Sequence, residues 1–557
     1  MFKRIHIWAI PLSLSLLSGC QSSSSKKEAA TSASDTNAAV TQESYKQYVT
    51  ALAADDMEGR KPFTNGEKKT LAYLEKEARA LGLEPGNEGS FLQEVPMVEI
   101  TSSPAPTMTV KGKQAMELKG PDDYVIWARR TEENVSIKDS ELVFAGFGIV
   151  APEYNWDDYA GLNVKDKVVV VLVSDPGFYS ADTTFFKGRT MTYYGRWTYK
   201  LEEAARQGAK GCLIVHATEP AGYGFQVVQN NWKTSKFYLD TRGKETNKCA
   251  MEGWITTPVA EKLFTAAGKN FQTELQRAAK PGFKGNSLGL TVSTSLNAKV
   301  RYDKSFNFIA KITGSKRPDE AIVYSGHWDH LGIGKKDAQN DSIYNGAADN
   351  ASGTAGLLAV AKAFQSQSQK PDRTVVFLSV TAEEQGLLGS AQYAEKPVFP
   401  KEKTVANLNM DMLNPFGETK DIVLIGMGQS ELEDILSEEA KKVGRYLARD
   451  PNPEAGLYYR SDHFNFAKMG VPALFTGMGT DHVQLGKAEG KKLLENFTAN
   501  IYHKPNDEVN AAFKMDGAVA DLQLLFQVGR RLATSEKWPN WKTGSEFKAV
   551  RDAYMKR

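Results

Sequence analysis

From about residue 300 the chain alternates short apolar runs with helix-like stretches, and the apolar runs lead into acids or a histidine. Ala321–Ser325, Thr374–Val380 and Thr404–Met410 read as strands, Ile422–Ile425 as a further one, and Thr354–Phe364 as a helix. Runs this apolar are strands buried on both faces. Their alternation with helices predicts an α/β fold in which a mixed, largely parallel sheet is sandwiched by helices. Sites in such sheets form beyond the carboxyl ends of the strands. His327, the pair Glu383-Glu384 and Asp411 stand just past three of these runs, Asp349 stands just before the helix, and His503 comes late in the chain.

A chain of 557 residues is too long for one ordinary domain, and its hydrophobic share of 41% is ample for buried cores. The net charge is +2 and no stripe of Lys and Arg is present, which argues against a nucleic-acid partner. Lys3 and Arg4 followed by the apolar run Ile7–Leu17 form a secretion signal too short to span a bilayer. The run ends in Leu17-Ser18-Gly19-Cys20, which resembles the bacterial lipobox, where the cysteine is acylated. That resemblance implies a lipid anchor at Cys20. Gln21 in place of Asp favours the outer membrane, facing the periplasm or the exterior.

Domain organisation follows from texture. Residues 1–19 form the signal, and 20–44, rich in Ser, Ala, Thr and Lys, form a flexible tether. Residues 45–130 open the main domain, with a helix expected over 45–83 and strands at Phe91–Val95 and Thr107–Val110. Residues 131–290 have a β-rich texture without catalytic spacing, with strands at Glu141–Val150, Lys167–Val173 and around Cys212, and a helix over Arg196–Gln207. Residues 291–545 carry the main domain onward. Cys212 and Cys249 are open to two readings, buried thiols or a disulfide.

The chemistry lies in the residue types. Two imidazoles and three carboxylates can hold two divalent cations, and a fourth carboxylate can move a proton. In Ser325-Gly326-His327-Trp328-Asp329-His330, Asp329 is placed to orient His327, and His330 competes for the ligand role. Asp349 sits among small residues and can bridge two cations; a helix N-cap is its plainer role, and Asn350 or Ser352 can take that over. Glu383 and Glu384 repel each other unless a cation or proton intervenes, and adjacent side chains point apart, so Glu384 is assigned as ligand and Glu383 as general base. Asp507 is expected to orient His503 as Asp329 orients His327. His482 is a rival to His503, which is favoured by its Tyr-His-x-Pro-x-Asp context.

Taken together, His327, Asp349, Glu383-Glu384, Asp411 and His503 resemble the pattern of the co-catalytic zinc aminopeptidases of metallopeptidase family 28. Arg460-Ser461-Asp462-His463-Phe464 resembles a segment that lines the family's substrate pocket, and the likeness reaches upstream to Asp55-Asp56-Met57-Glu58-Gly59-Arg60. The β-rich block resembles the protease-associated domain often inserted in this family. The resemblance implies two zinc ions bridged by Asp349, one completed by His327 and Asp411 and the other by Glu384 and His503. It implies removal of N-terminal residues from peptides by a metal-bridged hydroxide, with Glu383 handling the proton and Tyr458 or Tyr459 aiding the oxyanion. Three alternatives remain: a carboxypeptidase or dipeptidase of the same family, for which Arg460 or Arg189 would receive the terminal carboxylate; a glutaminyl cyclase; and a non-catalytic binding protein.

Overall fold

The computed structural model describes residues 40–180, 182–244 and 247–555. The signal run, Cys20 and most of the tether lie outside the described residues. The folded body begins earlier than the expected boundary at 45, because Val40 is buried and the Thr41 hydroxyl caps the helix Gln42–Leu52 by accepting from Ser44 N. The helix expected over 45–83 is broken in two. Gln42–Leu52 is followed by a tight turn, Asp55–Arg60, and then by Asn65–Ala80. The turn holds Glu58, Gly59 and Arg60 at φ 52, 64 and 52, and a Cβ on Gly59 would meet the carbonyl oxygens of Gly332 and Tyr344 at 2.6 Å.

A mixed sheet forms the main layer. Its central strands, Arg373–Val380, Arg317–His327, Thr404–Asn409 and Ala473–Gly477, run parallel in that spatial order. Asp421–Ile425 continues the sheet antiparallel to Ala473–Gly477 and pairs in parallel with Tyr446–Arg449, while the end of the strand Asn286–Ile312 borders Arg373–Val380 antiparallel. Successive residues of Arg317–His327 feed two cores. Ile322 and Tyr324 face the helices Gln42–Leu52, Ser352–Gln365 and Met515–Thr534, and Ala321 and Val323 face Phe464, Phe466 and Trp541. Burial on both faces explains why these strands are uniformly apolar.

A second core lies between about residues 98 and 298. It contains the parallel strands Val168–Leu172, Gly211–His216 and Met251–Thr256. Its upstream limit is earlier than the expected 131. Met108, Val110, Leu118, Tyr124 and Ile126 pack into it, so the strands over 107–128 belong with this core. Two long antiparallel strands, Leu92–Pro104 and Asn286–Ile312, run from one core to the other, paired from Phe308 opposite Leu92 to Leu296 opposite Pro104. Cys212 and Cys249 are buried free thiols in this second core. Among the described residues no helix is long and apolar enough to cross a membrane.

Candidate metal centre

The carboxyl ends of the central parallel strands carry the expected side chains to one place. His327 is the last residue of its strand, and its Nε2 lies 3.2 Å from Asp349 Oδ1 and 3.2 Å from Asp411 Oδ1. The second oxygen of Asp349, Oδ2, lies 3.0 Å from His503 Nε2, which is also 3.2 Å from Glu384 Oε2. Glu383 Oε2 is 4.0 Å from His327 Nε2. Residues separated by as many as 176 positions in the chain therefore converge on one carboxylate, Asp349, with an imidazole at each oxygen.

The turn holding Asp349 is fixed from three sides. Asn350 Nδ2 donates to the Met410 carbonyl at 2.9 Å, and Asn350 Oδ1 accepts from Gly353 N at 2.8 Å. The Asp507 carboxylate accepts from the backbone N–H groups of Ala348 and Asp349. The main-chain oxygens before the turn receive a buried arginine, Arg60. From the strand Arg317–His327, Ser325 Oγ donates to Asn409 Oδ1 on the neighbouring strand, Asn409 Nδ2 donates to Ser461 Oγ, and Ser461 Oγ donates to Asp411 Oδ2 at 2.6 Å. Ser325 Oγ in turn accepts from Asn407 Nδ2 at 2.8 Å, so each of these hydroxyls both accepts and donates, and Asp411 is aimed by a continuous relay.

Several expected roles shift. His327 Nδ1 donates to the backbone carbonyl of Asp329 at 3.0 Å, whereas the Asp329 carboxylate lies 3.8 Å away and accepts from Glu383 N instead. Asp329 thus orients His327 through its main chain and Glu383 through its side chain. No hydrogen bond or ion pair joins Asp507 to His503; its carboxylate is taken up by the Asp349 turn. His482 is removed as a rival, because its ring lies against the Phe416 carbonyl at 3.1 Å and accepts from Gln484 N and Leu485 N. His330 does join the cluster. It is buried, with Nδ1 2.7 Å from Glu384 Oε1.

Tyr458 and Tyr459 are buried beside Glu546, to which the Tyr459 hydroxyl donates at 2.9 Å. Tyr502 is stacked on His503 with ring centroids 3.9 Å apart, and its phenol is raised by burial and by the charges of Asp349, Glu384, Glu383 and Asp411. Its position next to His503 was the available sequence signal.

Charge in the cluster is unbalanced. Burial drives the Glu383 carboxyl well above its usual range, Asp411, Asp462 and Glu384 push it the same way, and His327 opposes. Burial likewise lifts Asp329 to about 8. For Glu384 burial and Asp349 push upward, but His330 and His503 outweigh them and hold it at about 2. Burial opposes protonation of His503, yet its bonds to Asp349 and Glu384 raise it to about 10.

The arrangement fits divalent cations. His327, Glu383 and Asp411 form one group and His330, Asp349 and Glu384 a second, with the ligand atoms of each group within 4.8 Å of one another. Glu384 Oε1 and His330 Nδ1 approach to 2.7 Å without hydrogen-bond alignment and have no other partner, an approach suited to ligands turned toward a shared cation. His503, 3.0 Å from Asp349 Oδ2 and 3.2 Å from Glu384 Oε2, adds a further donor at the second group.

Comparison with known proteins agrees with this geometry. Residues 307–525 match the family model described as Peptidase family M28. Aminopeptidase NAALADL1 of Mus musculus is 32% identical over 140 residues, 24% of this chain and 17% of the mouse protein. The glutamate carboxypeptidase 2 homolog of Caenorhabditis elegans is 32% identical over 231 residues, 40% of this chain and 27% of the worm protein. The chain thus spans less than a third of the length of these curated relatives. The solved structure of an aminopeptidase from Aneurinibacillus sp. strain AM-1 shares the fold, with a TM-score of 0.50 at 19% identity over 90% of this chain and 97% of that one. The matched segment, residues 307–525, holds every expected metal ligand.

Proposed function

We propose that this chain is a zinc-dependent exopeptidase that removes N-terminal residues from peptides, with two zinc ions per chain. The observation that carries this reading is Asp349, whose two oxygens face His327 and His503 separately, the arrangement of a carboxylate shared between two cations. His327 and Asp411 would hold one ion and Glu384 and His503 the other, with His330 beside the second.

Zinc, when bound, supplies a Lewis acid for the scissile carbonyl and lowers the pKa of water at the site. The chain's own residues supply the rest. Glu383 accepts the proton of the attacking water and delivers it to the nitrogen of the leaving amine as the peptide C–N bond breaks. Its burial and its acidic neighbours favour holding a proton between the two transfers. The Asp329 carboxylate, by accepting from Glu383 N, sets where that carboxyl points. The Tyr502 hydroxyl donates to the developing oxyanion.

The N-terminal lipobox-like sequence supports attachment to a bacterial outer membrane, and the second core supports a protease-associated domain. The carboxypeptidase reading is kept because the worm relative is named for that activity and matches 40% of this chain. Cleavage of an aminoacyl-anilide, compared with cleavage of an N-blocked peptide, tests the proposal. Turnover of the anilide alone supports the aminopeptidase, and turnover of the blocked peptide alone replaces it with the carboxypeptidase.

A further inference from the structure

Among the described residues Arg60 is one of the largest side chains with no exposed surface, and no described carboxylate lies within ion-pair distance of it. Its guanidinium is instead spent on four main-chain carbonyls. Nε donates to Trp328 O at 2.9 Å, Nη1 to Leu52 O at 2.7 Å and Asn345 O at 2.5 Å, and Nη2 to Gly346 O at 2.9 Å. Trp328 directly follows His327. Asn345 and Gly346 lead into the turn that presents Asp349. One rigid, planar group therefore spans the two backbone segments that supply the first imidazole and the shared carboxylate, and ties both to the end of the helix Gln42–Leu52.

The surroundings support a purpose beyond filling space. The left-handed backbone of Glu58, Gly59 and Arg60 is an uncommon conformation for the two non-glycine residues, and it aims the side chain inward. Asn345 is bound a second time from the same region, its Nδ2 donating to Ala53 O and Asp55 Oδ1, each at 2.8 Å. The fixed positive charge lies under a field of acids, Asp507, Asp329, Asp349 and Glu384. An apolar side chain could fill the volume but would take the guanidinium donors from the carbonyls of Trp328, Leu52 and Asn345, leaving Gly346 O only its bond from Ala351 N.

We propose that Arg60 is a positioning residue of the metal centre, whose guanidinium clamps the Trp328 and Asn345-Gly346 carbonyls so that His327 and Asp349 meet the cations in a pre-set geometry. This rests on the zinc site proposed above. It also makes residues 42–60, which lie outside the segment matched to the peptidase family, part of what the centre needs to form.

The test uses the full chain stripped of metal. Zinc affinity is measured by competition with a chromophoric chelator for the wild type, Arg60→Lys, Arg60→Gln and Asn345→Ala, alongside thermal unfolding of each metal-free protein. Lysine keeps the charge but cannot reach four carbonyls at once. Folded Arg60→Lys and Arg60→Gln are expected to bind zinc about 10–100-fold more weakly, the range seen when groups supporting metal ligands are removed. Asn345→Ala, which keeps the guanidinium but frees the same carbonyl segment, is expected to show a smaller loss, and it decides the matter if the Arg60 variants do not fold. A purely structural arginine would lower the unfolding temperature and leave the zinc affinity of the folded protein unchanged, and that result overturns the proposal. A wild type that binds no zinc would instead overturn the proposed function, so the two failures are distinct.

Discussion

Ser461 Oγ donates to Asp411 Oδ2 at 2.6 Å, and Asp411 turns its other oxygen to His327 at 3.2 Å. A segment more than 130 residues beyond His327 thereby sets the angle of a proposed metal ligand. Ser461→Ala removes the donor to Asp411 and the acceptor of Asn409 Nδ2. The expected outcome is a folded protein whose zinc affinity falls about 10-fold or more, read by chelator competition. Unchanged affinity would mean that Asp411 is aimed without the serine.

Glu383→Gln keeps the shape of the proposed base and removes its basicity. Metal analysis of this variant is expected to return about two zinc ions per chain, while kcat falls by about 10²–10⁴-fold. Wild-type turnover in the variant would take the proton-handling role from Glu383.

The two late histidines separate cleanly. His503→Ala is expected to reduce bound zinc to about one ion per chain, because His503 faces both Asp349 and Glu384. His482→Ala is expected to keep the metal content of the wild type, since its ring serves the Phe416–Leu485 region. Atomic absorption on the two purified variants checks both.

Without metal, protonated histidine takes the place of a cation. His503 has its folded pKa raised to about 10 by Asp349 and Glu384, against about 6.5 when unfolded. A raised pKa gives stability that is fully present below about pH 6.5 and is lost as pH climbs toward about 10. The metal-free protein is therefore expected to lose thermal stability over that window. The zinc-loaded protein, whose histidine ligands carry no proton to lose, is expected to change less. Scanning calorimetry of both forms from pH 6 to 10 checks the sign.

Much of the centre was legible because its residues end strands whose apolarity is forced by burial on both faces. Val376 and Leu378 face one core while Val375 and Phe377 face the other, and the run leads directly to Glu383 and Glu384. What escaped was set by contacts distant in sequence. The break at Glu58–Arg60 answers to the carbonyls of Gly332 and Tyr344, some 270 residues on, so helical periodicity alone carried the reading through it. Asp507 follows His503 closely and was expected to orient it, but the Asp349 turn needed an acceptor for its N–H groups and took it. The strand Asn286–Ile312 alternates buried and exposed residues along much of its length, as a strand covered on one face should, and serves two cores in turn.

The most direct test is diffraction at the zinc absorption edge from crystals grown with zinc. The expected result is two anomalous peaks about 3.5–4 Å apart, one on each side of Asp349, with His327 at the first and His503 at the second. A single peak, or a pair that does not share Asp349, would contradict the account.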